Sequence, residues 1–206
     1  MSSQTRQQSP AADNSQKMRF SVHETAFKES NMRTSAGNLT MAAMLACLAL
    51  IFSYVEFLIP ISLGIPGVKL GLANLVIIIA LYGLDWKYAL TINVVRICLS
   101  GLLFSGVFGI MYSMGGGIIS FIVMIGLIKS RKFSIVGVSM AGGVFHNLGQ
   151  ILVAAQLISN LKIFYYFPVL LFSGMGTGIV IGFIAYYLGA KIPRQLFPNL
   201  RNRVLS

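Results

Sequence analysis

Residues 88–128 read YALTINVVRICLSGLLFSGVFGIMYSMGGGIISFIVMIGLI and contain a single charged side chain, Arg96. As an α-helix rising 1.5 Å per residue, this stretch would be about 60 Å long, roughly twice the 30 Å hydrocarbon thickness of a bilayer. The chain is therefore predicted to cross a membrane, turn back near Ser105 and Gly106, and cross again. The two spans are expected at about residues 88–104 and 107–128.

The composition of the whole chain supports a membrane protein. Of its 206 residues, 56% are hydrophobic and 10% charged, against roughly 45–50% and about 25% in soluble domains. A water-soluble fold of this size could not cover so much apolar surface, so the solvent is predicted to be lipid. The net charge of +11 comes from short basic clusters between apolar blocks, which argues against nucleic-acid binding.

The spacing of the apolar blocks predicts an all-α, polytopic bundle of six transmembrane helices. Besides the two spans above, helices are expected at residues 39–59, 70–84, 134–158 and 165–188. A Pro- and Gly-rich segment at 60–69 opposes a regular helix and predicts an ordered loop. The predicted organisation is a disordered cytoplasmic tail at 1–38, without the apolar core of a signal peptide, a transmembrane domain at 39–190 and a basic cytoplasmic tail at 191–206.

The basic residues predict the orientation in the membrane. With a cytoplasmic N-terminus, the outer loops would hold only Lys69 and Lys162 of the sixteen Lys and Arg, and Arg96 would lie within a span. Such an excess of positive charge on one side is typical of cytoplasmic segments. A multi-pass protein of the plasma membrane with both termini in the cytoplasm is therefore expected.

Polar residues inside the spans are the candidate functional residues, because ionisable groups in lipid cost several kcal/mol and usually face a bundle interior or a wet cavity. They are predicted to line an outward-facing pocket, in which Arg96 could hold a carboxylate or phosphate. The alternative, that they only hydrogen-bond helices together, remains open. The candidate substrate-binding residues are Glu56, Lys69, Asn74, Asn93, Arg96, His146, Asn147 and Gln150.

Catalytic, metal and cofactor sites are not predicted. Cys47 and Cys98 show neither a CxxC pattern nor Cys/His spacing, so a disulfide or metal site is not expected. The glycine-rich runs at 115–117 and 174–178 lie inside spans and lack the lysine of a nucleotide-binding loop. Small residues form stripes on the first helix (Ala42, Ala46, Ala49, Ser53) and on the sixth, which suits close helix packing either within the bundle or against a partner.

Three stretches carry a family resemblance: SYVE at 53–56, PGVKLGLAN at 66–74 and AGGVFHNLGQ at 141–150. They resemble the Gx transporter family, whose members are often labelled heptaprenyl diphosphate synthase component I, over about residues 39–190. That family is in turn similar to the substrate-binding S components of energy-coupling factor transporters.

The resemblance implies a six-helix protein that captures a micronutrient or other small molecule from outside and docks on a transmembrane T component driven by two ATPases. It places a docking motif at Ala42 and Ala46, and a substrate-capping loop at 60–69. Its synthase label implies an alternative role, an accessory membrane component in isoprenoid synthesis, and a purely structural membrane protein is a third possibility. Asp85 is the only aspartate after Asp13, so the aspartate-rich magnesium motifs of prenyl transfer are missing and catalysis is not expected.

Overall fold

A computed structural model describes residues 36–59, 71–159 and 161–193, together with residues 196, 197, 200 and 204. The regular structure of these residues is helical throughout. The predicted tail before residue 36 and the predicted loop at 60–69 lie outside the described residues. Residues 36–40, the first turn of α1, belong to a separate N-terminal unit. The helices are α1 (Ala36–Leu58), α2 (Leu72–Gly83), α3 (Trp86–Ser100), a π-helix (Gly101–Ser105), α4 (Gly106–Ser130), α5 (Ile135–Ile158), a 3-10 helix (Leu161–Tyr166) and α6 (Phe167–Lys191).

Four helical runs of the described residues are long and apolar enough to cross a bilayer: Ala36–Leu58, Trp86–Ser130, Ile135–Ile158 and Lys162–Lys191. Large apolar side chains stand on their outer faces, and Ile122 is 64% and Phe172 71% exposed. Extensive apolar surface of this kind requires a non-aqueous environment. The chain is thus a helical membrane protein. Length and hydropathy alone do not establish the predicted count of six spans, because α2 is short and α3 and α4 form one run of 45 residues.

That long run is folded back on itself at Gly106. Gly106 has a φ of 72°, which glycine adopts without the steric cost of a side chain. The Asn93 side-chain amide donates to the Gly117 carbonyl oxygen at 3.3 Å, whereas 24 residues of straight helix would separate these positions by about 36 Å. Helices α3 and α4 are therefore antiparallel, and the turn predicted near Ser105 and Gly106 is confirmed.

Helix α2 lies in the interior of the bundle. Its 12 residues, from Leu72 to Gly83, would cover only about 18 Å, yet every residue from Leu75 to Gly83 is buried. A helix that is apolar on all sides is typical of a protein core, since it has no polar face to present to water. α2 is thus shorter than the span predicted at 70–84, and it packs mainly against protein.

Helix α5 packs closely between α4 and α6 because glycines lie at both contacts. A Cβ added at Gly149 would lie 2.5 Å from the Gly115 carbonyl oxygen of α4. On the other face, a Cβ at Gly143 would lie 2.4 Å from the Gly174 carbonyl oxygen of α6. The backbones approach so closely that only glycine fits at either position without movement.

Three apolar residues after α6 return to the core. Phe197, Leu200 and Val204 are 5%, 1% and 6% exposed, respectively. The Phe197 ring lies against Gly83 at the end of α2, and Val204 lies against Gly189 of α6. The segment predicted only as a basic tail therefore also packs apolar side chains against the bundle.

Candidate functional site

A group of polar side chains joins α1, α3 and α4, and we call Ser53, Glu56, Asn93 and Arg96 the arginine cluster. Arg96 Nη2 donates to Asn93 Oδ1 at 2.8 Å, one turn away on the same helix. Asn93 is 4% exposed, and its side-chain amide donates a hydrogen bond to the Gly117 carbonyl oxygen of α4. Arg96 Nη1 lies 3.5 Å from Ser53 Oγ of α1, at the outer limit for a hydrogen bond. The cluster thus links three helices through the Arg96 guanidinium and the Asn93 amide.

Glu56 extends the cluster to α2. Its Oε1 accepts the Leu72 backbone N–H at 2.5 Å, which satisfies one of the donors that a helix N-terminus leaves without an intrahelical partner. Glu56 also attracts Arg96 electrostatically, and it lies one turn from Ser53 on α1. A carboxylate and a guanidinium of opposite charge therefore lie in the same region of an apolar bundle, as buried charges usually do.

The hydrogen bonds of the Arg96 guanidinium are incomplete. Of its five N–H donors, the contacts with Asn93 and Ser53 use two at most. The Nε atom is buried and has no hydrogen-bond partner among the described residues. A buried donor without an acceptor costs about 1–3 kcal/mol, and more for a charged group.

A second pair of polar residues approaches the same turn of α4 from α5. Around Gly116, a Cβ would lie 2.9 Å from Gln150 Cγ and 3.1 Å from His146 Cε1. The carbonyl oxygen of the adjacent Gly117 accepts a hydrogen bond from the Asn93 amide of α3. His146 and Gln150 therefore lie on one side of the α4 glycines, and the arginine cluster lies on the other.

The other predicted site residues are placed differently. Asn147 donates to the Leu170 carbonyl oxygen at 2.7 Å and so joins α5 to α6, away from α4. Asn74 of α2 faces α5, where its Nδ2 is 3.5 Å from the position of a Cβ on Gly142. Lys69 lies outside the described residues.

The alanines predicted to form a docking motif lie against the inside of this chain. Ala42 is 7% exposed and Ala49 is fully buried, and both belong to the hydrophobic core. Ala46 is partly buried and packs against that core. The stripe of small residues on α1 therefore lets α1 approach its own neighbours closely, and it leaves Ala42 little surface for a partner.

Sequence reasoning overlooked the role of Ser53, which it assigned only to the stripe of small residues. The available signal was its i, i+3 spacing from Glu56, which places the hydroxyl and the carboxylate on one face of α1. The contributions of the Leu72 N–H and the Gly117 carbonyl had no signal in the sequence, because every residue other than proline carries these backbone groups. Within the described ranges, His, Cys, Asp and Glu form no group of three that could hold a metal ion.

Comparison with known proteins gives one family match. A family model described as heptaprenyl diphosphate synthase component I matches residues 45–188, a range that includes the arginine cluster and all of α2 to α5. No curated protein and no solved structure matches the chain.

Proposed function

Because the chain belongs to the heptaprenyl diphosphate synthase component I family and holds a charged, incompletely bonded cluster inside an apolar bundle, we propose that it is the substrate-binding subunit of a membrane transporter. The subunit takes up a small solute or micronutrient from the outer face. The observation that carries the proposal is the unsatisfied Nε donor of Arg96. Ionisable groups in a membrane are costly, and they characteristically mark substrate pathways.

The proposed topology has six spans. The reversal at Gly106 divides the run Trp86–Ser130 into two antiparallel segments, and α2 crosses as a short helix enclosed by its neighbours. Lys129, Arg131 and Lys132 between α4 and α5 then lie in the cytoplasm, where positive charge is favoured. Both termini lie on that same side, and Lys162 lies outside.

The energy for transport comes from partners in this proposal. The sequence has no nucleotide-binding loop with its lysine, so a T component with two ATPases is the proposed machinery. The proposed docking motif for that partner is Ala42 and Ala46 on α1, of which Ala46 is only partly buried. Lipid and a small-molecule substrate are the remaining proposed partners, and nucleic acid is not among them.

The second candidate function is an accessory membrane component of a heptaprenyl diphosphate synthase, and the description of the matching family favours it. Prenyl transfer needs carboxylates that hold magnesium and diphosphate. The carboxylates of this chain are Asp13, Glu24, Glu29, Glu56 and Asp85, and they do not form an aspartate-rich motif. In this alternative the chain would therefore assist a catalytic partner.

Native mass spectrometry of the protein, extracted gently from its own membrane, tests the two functions together. The transport proposal predicts a retained small molecule and co-purifying membrane and ATPase subunits. A soluble prenyl synthase as the co-purifying protein, with loss of heptaprenyl diphosphate synthesis on deletion of the gene, would instead establish the second candidate. An apo protein with neither partner would refute both.

A further inference from the structure

The charges around Arg96 indicate the class of ligand that this site accepts, an inference that rests on the proposed function. Arg96 presents a planar set of donors, and a guanidinium matches the two oxygens of a carboxylate or phosphate group. Asn93 occupies one donor at 2.8 Å and Ser53 takes another only at 3.5 Å. The Nε–H remains buried and unbonded within the described part of the chain.

Among the described residues, neighbouring protein groups do not complete this donor set. Asn93 donates its amide to Gly117, and the Ser53 hydroxyl donates to the Ala49 carbonyl at 2.9 Å. Both side chains are thus held in place by the backbone, with their oxygens facing Arg96. A buried polar group left unsatisfied in a folded protein usually has a water, an ion or a ligand as its partner.

Glu56 contributes a carboxylate, and so a negative charge, to the arginine cluster. It is held by the Leu72 N–H and lies one helical turn from Ser53, which itself reaches Arg96. An oxyanion that approaches Arg96 would therefore meet a fixed negative charge. Two like charges close together in a poorly solvated site repel each other strongly.

We infer that Arg96 binds an oxyanion group of the ligand, a carboxylate or a phosphate, and that Glu56 competes with this group for the guanidinium. Arg96 is the recognition residue, and Asn93 and Ser53 are positioning residues that orient it. Glu56 lowers the affinity for the anion, which favours release after capture. The ligand class is thus an acidic small molecule.

The charge-conserving and charge-removing variants of these two residues test the inference. Glu56→Gln keeps an oxygen for the Leu72 N–H but removes the competing charge, so anion affinity should rise. Arg96→Lys keeps the positive charge beside Glu56 but loses the Nε donor and the planar geometry. Its anion affinity should fall by at least about tenfold, the factor expected for losing a charge-assisted hydrogen bond. Lys132→Gln, which removes an exposed charge between α4 and α5, is the matched control.

The measurement is the thermal unfolding midpoint of the full chain in nanodiscs of phosphatidylcholine, titrated with sodium phosphate or sodium acetate against sodium chloride at equal ionic strength. In wild type and Lys132→Gln, the unfolding midpoint should rise and saturate with anion concentration. Saturation should occur at a lower anion concentration in Glu56→Gln and at a higher one in Arg96→Lys. The phosphate and acetate arms separate the two oxyanions. Nanodiscs containing phosphatidylglycerol test whether the oxyanion belongs to a lipid headgroup. If it does, this lipid should occupy the site and abolish the response of wild type to both added anions.

Two results would overturn the inference. One is the absence of a saturable response in both wild type and Glu56→Gln, and the other is an equal response in Arg96→Lys and wild type. A retained small molecule in native mass spectra that persists in Arg96→Lys would leave the proposed function standing and refute anion recognition. A saturable anion response in a protein without any retained molecule or transport partner would support the anion site and refute the transport function.

Discussion

The contact between Gly149 and α4 gives a sharp prediction about stability. A Cβ at Gly149 would lie 2.5 Å from the Gly115 carbonyl oxygen and 2.7 Å from the Gly116 Cα. Ordinary van der Waals contact begins at 3.4 Å, so α4 and α5 would have to separate by several tenths of an ångström at least. The obstructing atoms are backbone, and they cannot move by rotating a side chain.

We therefore expect Gly149→Ala to lower the free energy of unfolding by about 1–3 kcal/mol, the usual cost of overpacking. The better helix propensity of alanine, worth at most about 1 kcal/mol, offsets part of the steric term. Gly126→Ala is the matched control, because it lies on α4 and a Cβ there meets nothing within 4 Å. Its free energy of unfolding should stay within about 1 kcal/mol of wild type.

The assay is reversible unfolding in mixed detergent micelles, followed by far-UV circular dichroism on both variants and wild type in parallel. Equal stabilities of Gly149→Ala and Gly126→Ala would refute the close backbone contact. The same substitution should also weaken ligand retention, because α4 carries Gly116 next to His146 and Gln150.

Three further outcomes follow from burial and hydrogen bonding. Leu200→Ala should lower stability by about 2–5 kcal/mol, as for other buried leucines, whereas Leu196→Ala, at an exposed position, should change the unfolding midpoint little. Asn147→Leu removes the side-chain hydrogen bond to the Leu170 carbonyl, so stability in the same assay should fall by about 1 kcal/mol. Ligand retention in native mass spectra should persist, and its loss would place Asn147 in the site. Ala42→Leu should lower the thermal midpoint of the isolated protein, and an unchanged midpoint with weakened partner co-purification would support the docking interpretation.

The hairpin and the α3 part of the site were predictable from the sequence for simple geometric reasons. A nearly uncharged stretch twice as long as a bilayer must reverse, and glycine is the residue that permits the backbone angle at position 106. Asn93 and Arg96 are one turn apart on α3, so their contact follows from helical periodicity alone. These inferences needed only the repeat of the helix and the thickness of the membrane.

The sequence could not predict that the polar residues of α5 face two different neighbouring helices. His146 and Asn147 are adjacent and are both predicted from the sequence to line one pocket, but consecutive helical positions differ by about 100° in direction. Because α5 lies between α4 and α6, that difference sends His146 toward Gly116 and Asn147 toward Leu170. Spacing within one helix does not reveal which neighbours stand on its two sides.

The alanine stripe on α1 shows the same limit. Small side chains indicate that another helix comes close, but they do not distinguish a neighbour in the same chain from a separate subunit. Ala42 and Ala49 are buried among neighbours within this chain, whereas Ala46 is only partly buried.

The packing of Phe197, Leu200 and Val204 against the bundle determines where the protein can be truncated for study. A shortened version ending with α6 at Lys191 would look complete from its helices, but it would uncover the glycine surfaces at Gly83 and Gly189. Those bare patches invite contact between copies during purification. Affinity tags and fluorescent fusions are therefore better attached before α1, so that the side chains after α6 stay packed against the bundle.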